Sequence, residues 1–274
     1  MFTYQGKTAL ITGASSGIGE AFVRALAGRG MHVMLVARSE EKLRALAAEM
    51  SGQHEVRAEV IAADLGQEQA VQLIQQEVER RGLTIDLLVN NAGFGTYGLF
   101  ETISPEREHQ EVMVNIAAMV ALTHAFVPPM VARGQGAVIN LSSVAGFQPL
   151  PYMAVYAATK AFVLSFSEAL SVEYRRHGVR VLALCPGVTD TAFLKEASAE
   201  PLIVAPKRTP EQAVATGLRA LERGRSVVID GVGNAMLPQV VRLFPRALIA
   251  QIAGQVMRPR GAGMSGQAAA TQKR

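Results

Sequence analysis

One cysteine, no tryptophan and five tyrosines stand among 274 residues. The lone thiol, Cys185, excludes an intrachain disulfide and any metal cage built from cysteines. It suits a reducing, cytoplasmic setting. Its place beside Pro186, at the end of an apolar run, fits a buried small hydrophobe better than a nucleophile. Charged residues make up 18% of the chain against 49% hydrophobic ones. That balance excludes a disordered chain and suits a sizeable core. No stretch of about 18 uninterrupted apolar residues occurs, so the sequence predicts no transmembrane helix. The polar start Met1–Lys7 does not read as a secretory leader. Histidines at 32, 54, 109, 124 and 177 lack metal-ligand spacing, and no metal is expected.

The net charge of +4 is unevenly spread. Residues 231–274 carry Arg242, Arg246, Arg258, Arg260, Lys273 and Arg274 and no acidic residue, which leaves the remaining body slightly acidic. The basic excess therefore belongs to one segment, and no nucleic-acid partner is expected.

Apolar runs at Lys7–Thr12, His32–Ala37, Val56–Ala62, Asp86–Asn90, Gly136–Leu141, Val179–Cys185 and Ser226–Ile229 read as strands. Between them lie helical patterns over Gly17–Ala27, Glu40–Met50, Gln67–Arg80, Pro105–Val131, Tyr152–His177 and Pro210–Arg223. Strands that are apolar on both faces and alternate with helices imply an α/β fold. The expectation is a Rossmann-type, doubly wound parallel sheet of about seven strands, helices on both faces, with ligands at the strands' carboxyl ends. Residues 1–233 would form a single dinucleotide-binding catalytic domain. The irregular stretch 188–209 would be a substrate lid, and 234–274 a basic, apolar extension with a fraying tail.

The first strand leads into Thr12-Gly13-Ala14-Ser15-Ser16-Gly17-Ile18-Gly19 and then a helix. Glycines here allow a tight turn and close approach of a pyrophosphate to backbone N–H groups at a helix N-terminus. The second strand ends at Ala37-Arg38, with no acidic residue before Glu40. A guanidinium at that position suits a ribose 2′-phosphate, with Ser15 and Ser39 as further donors, so NADP(H) is expected over NAD(H).

Tyr156 and Lys160 share one helix face. A nearby ammonium stabilises phenolate and would lower the tyrosine pKa from about 10 toward neutrality. Ser142-Ser143, Asn90-Asn91-Ala92-Gly93 and Pro186-Gly187 each follow a predicted strand, at its ligand-binding end. Taken with the glycine turn, this set resembles the short-chain dehydrogenase/reductase family, of the NADP-preferring type. The motifs are T-G-x-x-x-G-x-G at Thr12–Gly19, N-N-A-G at Asn90–Gly93 and Y-x-x-x-K at Tyr156–Lys160, and the likeness covers about residues 5–230. It implies Ser143, thirteen residues before Tyr156, as the catalytic serine. Asn115 would be the helix asparagine that anchors a water behind Lys160. Cofactor contacts are implied for Gly13, Ser15, Ser16, Gly17, Ile18, Gly19, Arg38, Asp64, Leu65, Asn91, Ala92, Gly93, Tyr156, Lys160, Pro186, Gly187, Val188 and either Thr189 or Thr191.

The implied activity is hydride transfer between NADP(H) and a carbonyl or secondary alcohol, with Tyr156 as general acid/base. A non-catalytic dinucleotide sensor or interaction protein, and a lyase, dehydratase or epimerase on the same scaffold, are the competing readings. An intact Ser143–Tyr156–Lys160 set argues against the sensor. Phe94, Gly95, Phe147, Met153, Val188, Phe193 and Leu194 are expected to line an apolar substrate pocket. No arginine or lysine is evident there, apart from Lys195 on the lid. Tyr152 reads as packing or pocket lining. The resemblance also implies a homodimer or homotetramer, through the helices at 105–131 and 152–177. The stretch 236–260 either packs over the cleft or a subunit, which is the favoured reading, or lies on a membrane surface through its apolar residues and arginines.

Overall fold

The computed structural model describes residues 2–191, 193 and 207–259. Leu194, Lys195, most of the expected lid and the expected tail lie outside the described residues. Strands β1 (Thr8–Thr12), β2 (His32–Ala37), β3 (Ala58–Ala62), β4 (Leu87–Asn90), β5 (Gly136–Leu141), β6 (Val179–Cys185) and β7 (Val227–Ile229) join in the order β3-β2-β1-β4-β5-β6-β7. Every pairing is parallel. The strand order reverses between β1 and β4, where a crevice opens at the carboxyl ends. Four strands begin a residue or two later than the apolar pattern suggests. At β4 the cause is visible: Asp86 stays outside the strand, and its carboxylate accepts the Thr8 N–H at 3.0 Å.

Period-two alternation divides the core into two layers. In β1, Ala9 and Ile11 join one apolar cluster with Phe22 and Leu26 of α1 (Gly17–Ala27), Leu43 and Met50 of α2 (Glu40–Gln53), and Leu218 and Leu221 of the later helix Pro210–Glu222. Leu10 faces the other way. It packs with Ile74 and Val78 of α3 (Ala70–Arg80) and with Leu122, Phe126 and Met130 further along. Fully burying one such side chain stabilises the fold by about 1.5–3 kcal/mol. Helices thus cover both faces, as the near-continuous apolar strands require.

The long helix expected over Pro105–Val131 is broken into three parts. α4 (Pro105–Val112) starts on Ser104, whose side chain accepts the Arg107 N–H. A π-helical turn, Met113–Ala118, follows, and α5 (Met119–Ala132) continues. By length and composition alone, Pro105–Ala132 could cross a membrane. In the fold one face of it carries the buried Leu122, Phe126 and Met130 that close one core layer. The remaining helices are α6 (Ala154–Tyr174), α7 (Pro210–Glu222), α8 (Val232–Arg242) and α9 (Arg246–Val256). The last two show that the basic, apolar extension is helical up to Val256, with Pro245 capping the second helix.

Candidate active site

β1 enters the crevice through a turn in which Gly13 and Gly17 have φ of +64° and +57°. A side chain at Gly13 would meet the Asn91 amide and the Ala92 backbone. Asn91 fastens this turn to the end of β4. Its N–H donates to Thr12 Oγ1 at 3.0 Å, and its Nδ2 to the Thr12 carbonyl at 2.8 Å. The Ala92 N–H also donates to Thr12 Oγ1. Ser16 caps α1 without using its side chain, so the hydroxyl and the first-turn N–H groups face the cleft.

The cleft has a volume of about 800 Å³. Its walls include Gly13, Ser15, Ser16, Gly17 and Ile18 from the glycine turn. Arg38, Asp64 and Leu65 stand at one end, and Asn91, Ala92 and Gly93 in the middle. Pro186, Gly187, Val188, Thr189 and Thr191 close the far wall. Both threonines flank the cleft; Thr189 Oγ1 donates to the Gly187 carbonyl, and Thr191 Oγ1 accepts the Phe193 N–H. Gly19 is not on the wall. A side chain there would strike the Gly13 carbonyl, so this glycine is needed for packing α1 against the turn.

Lys42, in the first turn of α2, lines the same cleft as Arg38 and was missed in the sequence reading, where it reads as a solvated helix charge. Glu40 is turned away, its carboxylate paired with Arg44 at 2.5 Å. The donor set therefore offers two cations and no carboxylate from this segment at the end where a ribose phosphate would lie. Serine hydroxyls and a helix N-terminus stand where a pyrophosphate would lie. These residues fit NADP(H).

Toward the other end, Ser143 follows β5, and α6 brings Tyr156 and Lys160 under the same opening. Ser142 is not part of the wall chemistry: its hydroxyl donates to the Lys160 carbonyl and fastens α6 to the sheet. Ser143 Oγ accepts the Ala145 N–H at 3.1 Å. Lys160 Nζ donates to the Leu141 carbonyl at 2.8 Å and lies 5.7 Å from the centre of the Tyr156 ring. Burial pushes the lysine down to about 8 and the Tyr156 phenol up to about 12, with Ser143 offsetting part of the latter rise. Burial is the largest influence on the phenol, and the effect that opposes it comes from Ser143, with no contribution from Lys160.

Asn115 sits in the π turn, as functional residues often do. Its Oδ1 accepts the Phe94 N–H, and its Nδ2 donates to the Phe94 carbonyl at 2.9 Å and to Thr159 Oγ1 at 3.0 Å. The side chain therefore ties the loop after β4 to α6. Asn90 is likewise internal, donating to Asn140 and Thr123.

Of the expected substrate-pocket residues, Phe94, Met153, Val188 and Phe193 line the opening. Gly95 lies against the Tyr156 ring, where a side chain would clash. Phe147 does not line it. It packs with Leu164, Cys185 and Ile229 against the sheet. Cys185 is fully buried, with its thiol pushed up to about 12. Arg107, absent from the sequence reading, stacks on Phe94 at 3.8 Å and places a cation at the opening. Leu150, Tyr97 and Met257 complete the apolar wall around Met153 and Tyr156, and Tyr97 Oη donates to the Met257 carbonyl at 2.8 Å. Tyr152, with φ of +66°, shapes the turn into α6, and its carbonyl accepts the Gly98 N–H.

Glu111 was also missed. It is fully buried one helical turn before Asn115, takes a hydrogen bond from Thr96 at 2.8 Å, and leaves Oε1 without a partner. Burial raises its pKa from 4.5 to about 7, with Lys160 and the Thr96 bond opposing. Between those values the folded state binds a proton that the unfolded chain releases, so stability falls as pH rises through this window. Glu111→Gln keeps an acceptor for Thr96 and is expected to flatten that slope. Thermal melts from acid to neutral pH check this, and an unchanged slope would reassign it to another group.

A dinucleotide cleft at the sheet's switch point, joined to a half-buried serine and a buried tyrosine–lysine pair, defines a nicotinamide-dependent oxidoreductase scaffold. The short-chain dehydrogenase profile matches residues 7–202, and the chain belongs to that family. Very-long-chain 3-oxoacyl-CoA reductase-A of Danio rerio is 33% identical over 251 residues, 90% of this chain and 75% of that protein. Inactive hydroxysteroid dehydrogenase-like protein 1 of Homo sapiens is 34% identical over 219 residues, 77% of this chain and 66% of that protein. Among solved structures, a short-chain dehydrogenase from Sphingobium yanoikuyae in complex with NADPH matches with a TM-score of 0.79 and 32% identity. That match covers 95% of this chain and 99% of the other.

Proposed function

We propose that this protein is an NADP(H)-dependent reductase or dehydrogenase acting on the carbonyl or secondary alcohol of a hydrophobic small molecule. The observation that carries the reading is the Tyr156 phenol, buried between Ser143, Lys160 and an apolar wall, at the end of a cleft whose other end holds Arg38 and Lys42. Bound NADPH supplies a hydride. Ser143 and Tyr156 hold the substrate oxygen, and Tyr156 gives its proton to that oxygen as negative charge develops. A phenol held protonated at neutral pH suits this direction. Lys160 holds cofactor ribose and carries positive charge beneath the phenol. Asn115 acts by holding Phe94 and α6 in place.

The relatives' names cover acyl and steroid substrates, and the wall of Phe94, Leu150, Met153, Phe193 and Met257 suits either. Arg107 at the opening favours a substrate with an anionic group away from the carbonyl. The inactive relative keeps the sensor reading in view; the complete Ser143–Tyr156–Lys160 set in this chain favours catalysis. The lone buried cysteine suits the cytoplasm, with peripheral membrane contact through 236–260. Exposed Val112, Phe162 and Val172 on α4 and α6 support association into a homodimer or homotetramer through those helices.

A panel of ketones and alcohols, followed by the reduced-nicotinamide absorbance, tests the reading. NADPH is expected to surpass NADH in kcat/KM. Arg38→Asp should lower kcat/KM with NADPH by roughly 10–100-fold, as loss of a charge-assisted hydrogen bond predicts, and should raise it with NADH. A wild-type preference for NADH would overturn the cofactor assignment.

A further inference from the structure

Helices α8 and α9 have two different sides. Inward, Asn234 presses on Gly187 at the cofactor wall, Ile249 is buried, Gly254 abuts Pro151, and Met257 joins the apolar wall around Tyr156. The packing over the cleft expected from the sequence is therefore real, and it uses one side only.

Outward, α8 exposes Val232, Met236 and Val240, one residue per turn along a single stripe. α9 repeats the spacing with Leu248, Ile252 and Val256. At the corner between them Leu243 and Phe244 stand out, Leu243 with 80% of its surface exposed. Arg242 and Arg246 flank that corner, and Arg258 follows α9; all three are exposed. No acidic residue occurs anywhere in this segment. Scattered exposed apolar residues need no explanation, but two helical stripes joined by an exposed apolar corner do.

We propose that this outer face docks on an anionic lipid surface, laying the apolar stripes among the acyl chains and the arginines among the phosphates, next to the opening that admits substrate. The charge pattern selects this occupant. In a symmetric contact between two copies the same patch meets itself, which brings the arginines of both together with no carboxylate in the patch to receive them. A bilayer with anionic headgroups offers that counter-charge, and arginine stems reach it while covering apolar surface. Catalytic-side consequences follow from Met257, which belongs both to the wall around Tyr156 and to the end of the docking segment. A lipid-soluble substrate would then pass from the bilayer to the cleft without crossing water.

The docking is tested without turnover, so it stands or falls separately from the proposed reaction. The full-length protein is sedimented with vesicles of phosphatidylcholine alone or mixed with phosphatidylglycerol. Binding is expected to the mixed vesicles, and at least about tenfold weaker to the neutral ones, as loss of several arginine–headgroup attractions predicts. A Leu243→Glu/Phe244→Glu variant should lose binding by a similar factor, with its melting temperature and NADPH affinity unchanged. Arg242→Gln/Arg246→Gln/Arg258→Gln should bring mixed vesicles down to the neutral level. Equal sedimentation of wild type and the Glu variant would overturn the proposal. So would conversion of a lipid-free oligomer to monomer by that variant, which would assign the face to a second copy.

Discussion

Replacing Tyr156 by Phe is expected to lower turnover by about 10²–10⁴-fold, the usual contribution of a positioned general acid. NADPH affinity should stay within a few-fold of wild type. The side chain is buried and tilted against Phe193 with ring centres 5.1 Å apart, a contact that phenylalanine preserves. Single-turnover rates and titration of cofactor fluorescence measure the two effects apart. Near-wild-type rates would remove Tyr156 from the chemistry, whereas a collapse of cofactor affinity would show that the substitution had disturbed the cleft.

The second large effect concerns stability. Asp230, fully buried at the end of β7, accepts Arg208 Nε at 2.6 Å and Thr216 Oγ1 at 2.8 Å. Arg208 also pairs through its backbone with Val188 and Asp190, which fixes the strand of wall that carries Thr189. Arg208→Ala leaves the carboxylate buried without its cation, at a cost of about 3–5 kcal/mol. In a domain of this size that corresponds to a fall of roughly 10 °C in melting temperature. The backbone bonds to Val188 and Asp190 survive, but without the Asp230 anchor the segment that makes them is held less firmly, so KM for NADPH should rise. Adding Asp230→Asn to the Arg208→Ala variant should restore most of the stability and little of the KM. If the double variant melts as low as the single one, the buried charge is not the cause.

How much of this was readable in the sequence depends on what each residue's role requires. Strands whose apolar residues run without interruption announced the doubly wound sheet, and the glycine turn announced its opening. Ser143, Tyr156, Lys160 and Arg38 were legible because their chemistry and their place after a strand or within a helix coincide. Phe147 was misplaced because an aromatic residue just past a strand can face the cleft or the sheet equally well, and only packing against Leu164 and Ile229 decides. Asn115 was found but its hydrogen bonds were not, since they run to Phe94 and Thr159, both distant in sequence. Glu111 and Arg107 lay hidden in a polar stretch that reads as a solvated helix face. The turn at Met113 changes which of those side chains point inward.

That turn has a geometric meaning of its own. A π turn takes up one more residue than an α turn, so it retards the helix by one position, about 100° of rotation. Met113–Ala118 thereby acts as a phase corrector between two neighbours with different demands. Ahead of it, α4 must aim Glu111 at Thr96. Behind it, α5 must aim Leu122, Phe126 and Met130 at the sheet. Asn115, at the point of correction, is the bolt that sets the angle. Deleting a single residue within 113–118 would therefore be an error of angle more than of length, turning either the site or the core layer away from its partner.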